Sequence, residues 1–156
     1  IDLYQLHTPR SETPLKESVR ALAELRDEGV VRHVGVSNVT VDQLERARDV
    51  CDIATVQNRY NLANRSDDDV LAACEEYDIG FIPWFPLAAG DLDEVDGIDD
   101  IADAHGASRY QVALAWTLHR SDVMLPIPGT SSVDHLEANV AAGDIGLSVD
   151  EMARLG

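Results

Sequence analysis

The chain has 156 residues, 45% of them apolar, and its 29 acidic residues against 12 basic ones give a formal net charge of −17. That charge disfavours nucleic acid and anionic membranes as partners, because phosphate groups are bound by clustered lysine and arginine. With no apolar run of about 18 residues, no signal-peptide layout and no Cys-x-x-Cys pair, the sequence predicts a soluble, cytoplasmic protein without a metal site.

Short apolar runs with strand character recur five times along the chain, separated by helix signals. They predict strands at residues 2–6, 30–36, 53–56, 81–85 and 124–127. Spacings of about 20 to 45 residues leave room for a helix in each connection, so we expect an α/β fold with a parallel sheet.

Capping residues mark where the helices begin and end. Thr13 followed by Pro14 predicts the start of the first helix and Gly29 its end, while Ser66 with three aspartates predicts a later start and Gly80 its end. Capping boxes are predicted at Thr40/Gln43, Ser108/Gln111 and Ser148/Glu151, with the last two helices over residues 132–142 and 148–155. The seven acids of residues 91–103 are interpreted as a solvated approach to a helix.

Two architectures compete for this pattern, a doubly wound sheet and a (β/α)8 barrel. A doubly wound sheet that bound a dinucleotide would usually carry G-x-G-x-x-G after its first strand, and this sequence has none. A barrel gathers its site from the carboxyl ends of its strands. Polar or aromatic residues lie at the carboxyl ends of all five predicted strands: His7, Ser37 with Asn38, Gln57, Trp84, and Thr130 with Gly129.

We therefore predict a (β/α)8 TIM barrel, of which the chain covers about strands 4 to 8. Such a barrel takes about 250 residues, and five strands do not close one. Because the sequence opens at Ile1 inside a predicted strand, residues 1–156 are expected to be the C-terminal portion of a single barrel domain, with the N-terminal strands missing.

Five segments, taken in order, resemble the aldo-keto reductase superfamily over the whole chain. They are residues 2–7 (DLYQLH), 35–38 (GVSN), 56–61 (VQNRYN), 83–90 (PWFPLAAG) and 126–130 (PIPGT). The resemblance implies an oxidoreductase that uses NAD(P)H to reduce a small aldehyde or ketone to an alcohol. It also implies a catalytic tetrad of Asp, Tyr, Lys and His.

His7 matches the histidine of that tetrad, which orients the carbonyl oxygen of the substrate. The bare sequence would also fit a surface histidine before a proline-containing loop. The other three tetrad residues would precede Ile1, so this segment alone is not expected to catalyse the reaction.

The resemblance also assigns cofactor contacts. Ser37, Asn38 and Gln57 match the residues that bind the nicotinamide carboxamide, although Ser-Asn is also a common loop pair. Trp84 matches an aromatic ring stacked on the nicotinamide, with a core tryptophan as the alternative. The remaining matches are Phe85, Leu87 and the turn 88–90 for the pyrophosphate. Gly129, Thr130 and Ser131 at a helix start, with His135, match the site of the adenosine 2′-phosphate, and Asn139 matches the adenine contact.

The implied cofactor is NADP(H), with NAD(H) as an alternative, because Gly129 and His135 stand where many NADP-specific relatives carry Lys and Arg. Two other functions stay open: a cofactor-binding regulatory subunit with little turnover, and an inactive truncated fragment. The acidity, with Lys16 as the only lysine, predicts a halophilic protein, although an ordinary acidic protein is the alternative. The sequence predicts no particular oligomeric state.

Overall fold

A computed structural model describes residues 1–10, 12–87 and 92–156 of the protein. The chain divides into two compact units. The first, which we call the sheet unit, consists of Ile1–Asn58 and Asp67–Ile82. The second, which we call the helical unit, consists of Arg59–Ser66 and Pro83–Gly156.

The sheet unit alternates strands and helices. In chain order they are β1 (Leu3–Leu6), α1 (Leu15–Asp27), β2 (His33–Ser37), α2 (Val41–Arg48), β3 (Ile53–Gln57), α3 (Asp68–Tyr77) and β4 (Gly80–Phe81). The four strands are parallel and lie in the order β1-β2-β3-β4. A helix in every connection between parallel neighbours is the α/β arrangement that the sequence predicts.

Strand β2 lies in the middle of this sheet, and four of its five residues are buried. Burial on both faces is expected for a strand of a parallel sheet, since such sheets are covered on both faces. Alternation puts Gly35 and Ser37 on the same face, where Gly35 is flanked by Gln5 of β1 and Thr55 of β3. Ser37 is paired with Gln57 one step closer to the carboxyl end of the sheet.

The helical unit contains α4 (Ile98–His105), α5 (Arg109–Arg120), α6 (Val133–Ala141), a short 3-10 turn (Ala142–Asp144) and α7 (Val149–Leu155). Its core contains Trp116, which stacks on Tyr60 with ring centroids 6.2 Å apart. Arg120 Nε donates a hydrogen bond of 3.1 Å to the Tyr60 hydroxyl, so this buried phenol has a polar partner. Among the helices described in the two units, none has the length and apolarity to cross a membrane.

The predicted helix caps are largely confirmed. All three capping boxes form with reciprocal bonds, at Thr40/Gln43, Ser108/Gln111 and Ser148/Glu151. Gly29 has a φ of +78° just after α1 and donates its N–H to the carbonyl of Arg26, as a terminating glycine should.

Two predicted helix boundaries are wrong. Helix α1 begins at Leu15, and Pro14 occupies the N-cap position with no side-chain cap bond. Helix α3 ends at Tyr77, and Asp78 rather than Gly80 takes the left-handed conformation, with a φ of 54°. Aspartate tolerates this conformation better than most residues, which leaves Gly80 to begin β4.

The predicted strands 81–85 and 124–127 also differ from the structure. Strand β4 spans only Gly80–Phe81, and within residues 124–127 only Met124 has a bridge conformation. Pro126 and Pro128 lack the N–H that a ladder requires, which accounts for the missing fifth strand.

Helix α4 was not predicted, because the acids of residues 91–103 dominated the interpretation of that segment. Ile98, Ile101 and Ala102 are buried on one face at helical spacing. That apolar spacing was the signal in the sequence.

The excess acidity is only partly balanced by ion pairs. Pairs with N–O distances of 2.6 to 3.5 Å join Lys16 to Asp49, Arg32 to Asp2, Arg46 to Asp42, and Arg109 to both Asp93 and Asp99. Exposed pairs of this kind contribute little to stability. The formal charge still leaves 17 negative charges without a lysine or arginine to balance them.

We expect the melting temperature to rise between low salt and molar KCl. Screening weakens the ion pairs as well as the repulsion, but the unbalanced negative charges outnumber the pairs, so relief of repulsion should dominate. NaCl and KCl should act alike at equal ionic strength, because screening does not depend on the identity of the cation. A melting temperature that stays flat or falls in thermal scans over this range would contradict the salt-adapted interpretation.

Candidate functional site

The carboxyl ends of three neighbouring strands bring four predicted site residues together. His7 directly follows β1, Ser37 ends β2 with Asn38 next, and Gln57 ends β3. Because these strands are parallel, all four residues lie at the same edge of the sheet. We call His7, Ser37, Asn38 and Gln57 the strand-end cluster.

Hydrogen bonds connect the members of the strand-end cluster. The Ser37 hydroxyl donates to the carbonyl oxygen of Gln57 at 2.6 Å, and the same oxygen accepts the backbone N–H of Asn38 at 3.0 Å. The Asn38 amide nitrogen lies 2.9 Å from the carbonyl oxygen of His7 and 3.0 Å from the Ser37 hydroxyl. Asn38 therefore ties the loop after β1 to the end of β2.

The conformation of Asn38 is unusual for a residue with a side chain. Its φ of 57° places it in the left-handed region, which asparagine enters more readily than most residues. Ser37 is only 2% exposed, whereas Asn38 and His7 are exposed. The cluster thus offers a hydroxyl, amide groups and an accessible imidazole at one edge of the sheet.

The side-chain amides and the imidazole of the strand-end cluster can form different kinds of hydrogen bonds with a ligand. Side-chain amides present both a donor and an acceptor, as a carboxamide ligand requires of its partners. An imidazole can donate a hydrogen bond to an oxygen that gains negative charge in a reaction. The cluster can therefore orient a carboxamide and stabilise a reacting carbonyl oxygen.

The helical unit contains two adjoining cavities that share Leu87, Tyr110 and Gly129. The larger one has a volume of about 510 Å³ and is also lined by Phe85 and Pro128. The smaller one has a volume of about 310 Å³, and its lining adds Ser108, Gln111, Thr130, His135, Ala138 and Asn139. Six of the predicted cofactor residues line these cavities: Phe85, Leu87, Gly129, Thr130, His135 and Asn139.

The other predicted residues of this unit have different surroundings. Trp84 and Ser131 are not among the lining residues of either cavity. The Trp84 ring packs edge-on against Phe85, with centroids 5.1 Å apart, and the Arg59 guanidinium carbon lies 5.9 Å from its centroid. The turn 88–90, predicted to contact pyrophosphate, and Asp91 lie outside the described residues.

Gly129, Thr130 and Ser131 do not start a helix, contrary to the prediction. Helix α6 begins at Val133, and Ser132 is its N-cap. The Thr130 hydroxyl accepts the N–H of Ser132 at 3.1 Å, so this segment forms a turn that leads into the helix. The error arose because Ser132 is the better cap, with its hydroxyl 3.4 Å from the N–H of His135.

Sequence reasoning missed Tyr110 as a cavity residue. Tyr110 is 42% exposed and lines both cavities from the first turn of α5. Ser108 and Gln111 were identified only as a capping box, which does form. An aromatic residue between two capping residues was the available signal, since an exposed aromatic side chain often marks a binding surface.

The charges around these cavities are unusual for a site that would take phosphate. Among the described residues that line them there is no lysine or arginine, and His135 supplies the one imidazole. Arg109, beside the lining residues, is bonded to Asp93 at 2.6 Å and to Asp99 at 2.6 and 2.9 Å. These hydrogen bonds lower the pKa of Asp99. The Arg109 guanidinium is thus engaged in ion pairs with Asp93 and Asp99.

Comparison with known proteins gives consistent matches over the whole chain. Residues 1–156 match the profile described as the Aldo/keto reductase family. An uncharacterised oxidoreductase of Schizosaccharomyces pombe is 47% identical over 156 residues, which cover 99% of this chain and 51% of that protein. Pyridoxine 4-dehydrogenase of Escherichia coli is 42% identical over 149 residues, covering 96% and 52%.

Solved structures agree with these matches. A thermostable aldo-keto reductase in complex with the inhibitor epalrestat superposes with a TM-score of 0.94 at 35% identity, covering 99% of this chain and 58% of its own. An aldo-keto reductase from Klebsiella pneumoniae in complex with NADPH gives a TM-score of 0.89 at 36% identity, covering 99% and 57%.

These superpositions confirm the predicted fold class, part of a (β/α)8 barrel. The chain spans about half the length of the curated relatives that it matches. It belongs to the aldo/keto reductase family.

Proposed function

We propose that the whole protein is an NAD(P)H-dependent oxidoreductase that reduces the carbonyl group of a small aldehyde or ketone. The observation that carries this proposal is the strand-end cluster, in which His7 and the Ser37-Asn38 pair are joined by hydrogen bonds of 2.9 to 3.0 Å. The NADPH bound to the Klebsiella relative and the dehydrogenase name of the Escherichia relative support it.

The donors and acceptors of the strand-end cluster fit the carboxamide of a nicotinamide. When bound, the reduced cofactor supplies a hydride. Asn38 and Gln57 would orient the carboxamide through their amide groups, and Ser37 would accept through its hydroxyl oxygen, because its proton is donated to the Gln57 carbonyl. His7 would hold the carbonyl oxygen of the substrate while negative charge develops there.

In the helical unit, we assign the adenosine end of the cofactor to the cavity lined by Gly129, Thr130, His135 and Asn139. Phe85 and Leu87 would contact the pyrophosphate, and Trp84 would stack on the nicotinamide ring. The proposed partner is a small carbonyl compound in the cytoplasm, with neither nucleic acid nor membrane involved. Cell fractionation would check the location.

Two measurements on the whole protein test this function. Fluorescence titration should give saturable binding of NADPH, weakened about tenfold or more by Ser37→Ala, because one buried hydrogen-bonding group is lost. Stopped-flow absorbance should then show oxidation of bound NADPH when a simple aldehyde is added. Binding without oxidation would indicate a regulatory subunit instead, and absence of binding would refute the proposal.

Cofactor choice provides a further prediction. A 2′-phosphate held by hydroxyls, backbone amides and one imidazole gains less than one held by Lys and Arg, because charge-assisted bonds are about twice as strong as neutral ones. We expect NADPH to be preferred over NADH by only about 10- to 100-fold, or roughly 1.4 to 2.7 kcal/mol.

The contribution of His135 can be separated by substitution. His135 lines the smaller cavity, where its imidazole could donate a hydrogen bond to a 2′-phosphate, so His135→Ala should lower the preference for NADPH over NADH. Dissociation constants of both cofactors for the wild type and the variant would measure this change. If wild type and variant showed the same selectivity, His135 would not belong to the site.

A further inference from the structure

Asn58 is a buried polar residue to which the proposed function assigns no role. It directly follows β3 and is only 2% exposed. Its side-chain oxygen accepts the backbone N–H of Val39 at 3.1 Å, and its amide nitrogen donates to the carbonyl oxygen of Val39 at 2.7 Å. The same nitrogen donates to a carboxylate oxygen of Asp67 at 2.8 Å.

These bonds continue the pairing of β2 with β3 beyond the end of both strands. The backbone register ends at Ser37 opposite Gln57, followed by the bond from the Asn38 N–H to the Gln57 carbonyl. The Asn58 side chain then pairs with both backbone groups of Val39, as a neighbouring strand would. The N–H of Asn38 and the backbone of the next residue, Val39, are consequently both bonded to residues at the end of β3.

The conformation of Asn38 makes this arrangement significant. A residue other than glycine stays in the left-handed region only where its surroundings fix it there. Asn38, with a φ of 57°, is flanked by Ser37 at 2% exposure and Val39 at 3%. Fixing Val39 therefore fixes the direction in which the Ser37 and Asn38 side chains point.

Asp67 determines the orientation of the Asn58 amide. An amide could be turned with its oxygen and nitrogen exchanged, but only the nitrogen can donate to a carboxylate. With the nitrogen directed at Asp67 and Val39, the oxygen is left to accept the Val39 N–H. Asp67 is the N-cap residue of α3 but gives that helix no side-chain cap bond.

We infer that Asn58, oriented by Asp67, is a positioning residue that holds Asn38 in the conformation needed to bind the nicotinamide carboxamide. The inference rests on the proposed function and deepens it. Asn58 acts through the backbone of Val39 and makes no contact of its own with the ligand.

The test compares Asn58→Ala with Val19→Ala in the whole protein. Val19 is fully buried in α1, which takes no part in these bonds, so its truncation should lower stability without disturbing the turn. Amide hydrogen exchange at Asn38 and the dissociation constant of NADPH are measured for both variants. The Asn38 N–H is informative because it bonds to Gln57 rather than to Asn58.

Asn58→Ala should accelerate exchange at Asn38 and raise the NADPH dissociation constant, each by about tenfold, because a buried pair of hydrogen bonds is lost. Val19→Ala should leave both within about twofold after correction for its melting temperature. If Asn58→Ala folds poorly, Asp67→Asn should give a smaller change in the same direction. Equal behaviour of the Asn58 and Val19 variants would overturn the inference.

The two proposals fail in different ways. If the wild type binds no NADPH, the proposed function is refuted, and with it the cofactor role of Asn58. This holds even if Asn58→Ala loses exchange protection at Asn38. Normal NADPH binding by Asn58→Ala would refute the positioning role alone.

Discussion

Replacing Gly35 with alanine should destabilise the sheet unit by roughly 1–3 kcal/mol, the usual cost of forcing extra volume into a packed core. A Cβ atom at this position would lie 2.4 Å from the Thr55 hydroxyl oxygen and 3.1 Å from the Thr55 carbonyl oxygen. It would also lie 3.0 Å from Cγ of Gln5. Strand β2 is held between β1 and β3, so it cannot move away from both neighbours.

Equilibrium denaturation of the whole protein would measure this effect. Gly143→Ala is the matched control, because a Cβ there meets no atom of the described residues within 4 Å, and we expect a change within about 0.5 kcal/mol. Gly35→Ala with no greater effect than Gly143→Ala would show that the close approach is unimportant.

A double substitution identifies the cause. Thr55→Ala removes the hydroxyl that gives the shortest contact, and this oxygen is buried without a hydrogen-bond partner among the described residues. Gly35→Ala should therefore cost less in the Thr55→Ala background than in the wild type, with a coupling of about 1 kcal/mol. Additive effects would exclude the clash with the hydroxyl as the cause.

Gly35 also shows how far the sequence could be interpreted. Its segment Gly35-Val36-Ser37-Asn38 predicted a strand end with polar groups, and β2 does end at Ser37. The reason for a glycine there could not be predicted, because it depends on Thr55, which lies 20 positions away in sequence. Local patterns identify elements and their ends, whereas close approaches between strands depend on register.

The strand-end cluster could be predicted because parallel strands place their carboxyl ends at one edge. The role proposed for Asn58 could not be predicted, because it arises from a side chain that pairs with the backbone of Val39, 19 positions away. Tyr110 was missed although an aromatic residue between two capping residues was a signal in the sequence. The missing strand at residues 124–127 has a local cause, since two prolines outweighed the apolar run. The acidic composition of residues 91–103 predicts a solvated segment, whereas the apolar spacing of Ile98 and Ile101 corresponds to the buried face of α4.

His7→Ala should reduce kcat/KM of the whole protein by about 100- to 10,000-fold, the range typical for loss of a group that aids proton transfer or stabilises a developing charge. The dissociation constant of NADPH should stay within about twofold, because His7 is proposed to contact the substrate and not the cofactor. The expected loss thus appears in the chemical step.

His33→Ala is the matched control for this substitution. His33 is also an exposed histidine of the sheet unit, but it begins β2 and so lies at the amino end of that strand. Steady-state kinetics of His33→Ala should agree with the wild type within about twofold, as expected for a surface substitution away from the site. A large loss in both variants would indicate a general effect on folding.

His7→Gln separates two ways in which the imidazole could act. A glutamine amide can still donate a hydrogen bond to the carbonyl oxygen, but it cannot transfer a proton at neutral pH. If His7 mainly orients the carbonyl, His7→Gln should recover at least about tenfold of the activity lost in His7→Ala, equivalent to about 1.4 kcal/mol of transition-state stabilisation. If His7→Gln recovers none of the activity lost in His7→Ala, proton transfer by His7 is favoured. Wild-type kinetics in His7→Ala would remove His7 from the catalytic site, even though Asn38 holds its backbone at the strand-end cluster.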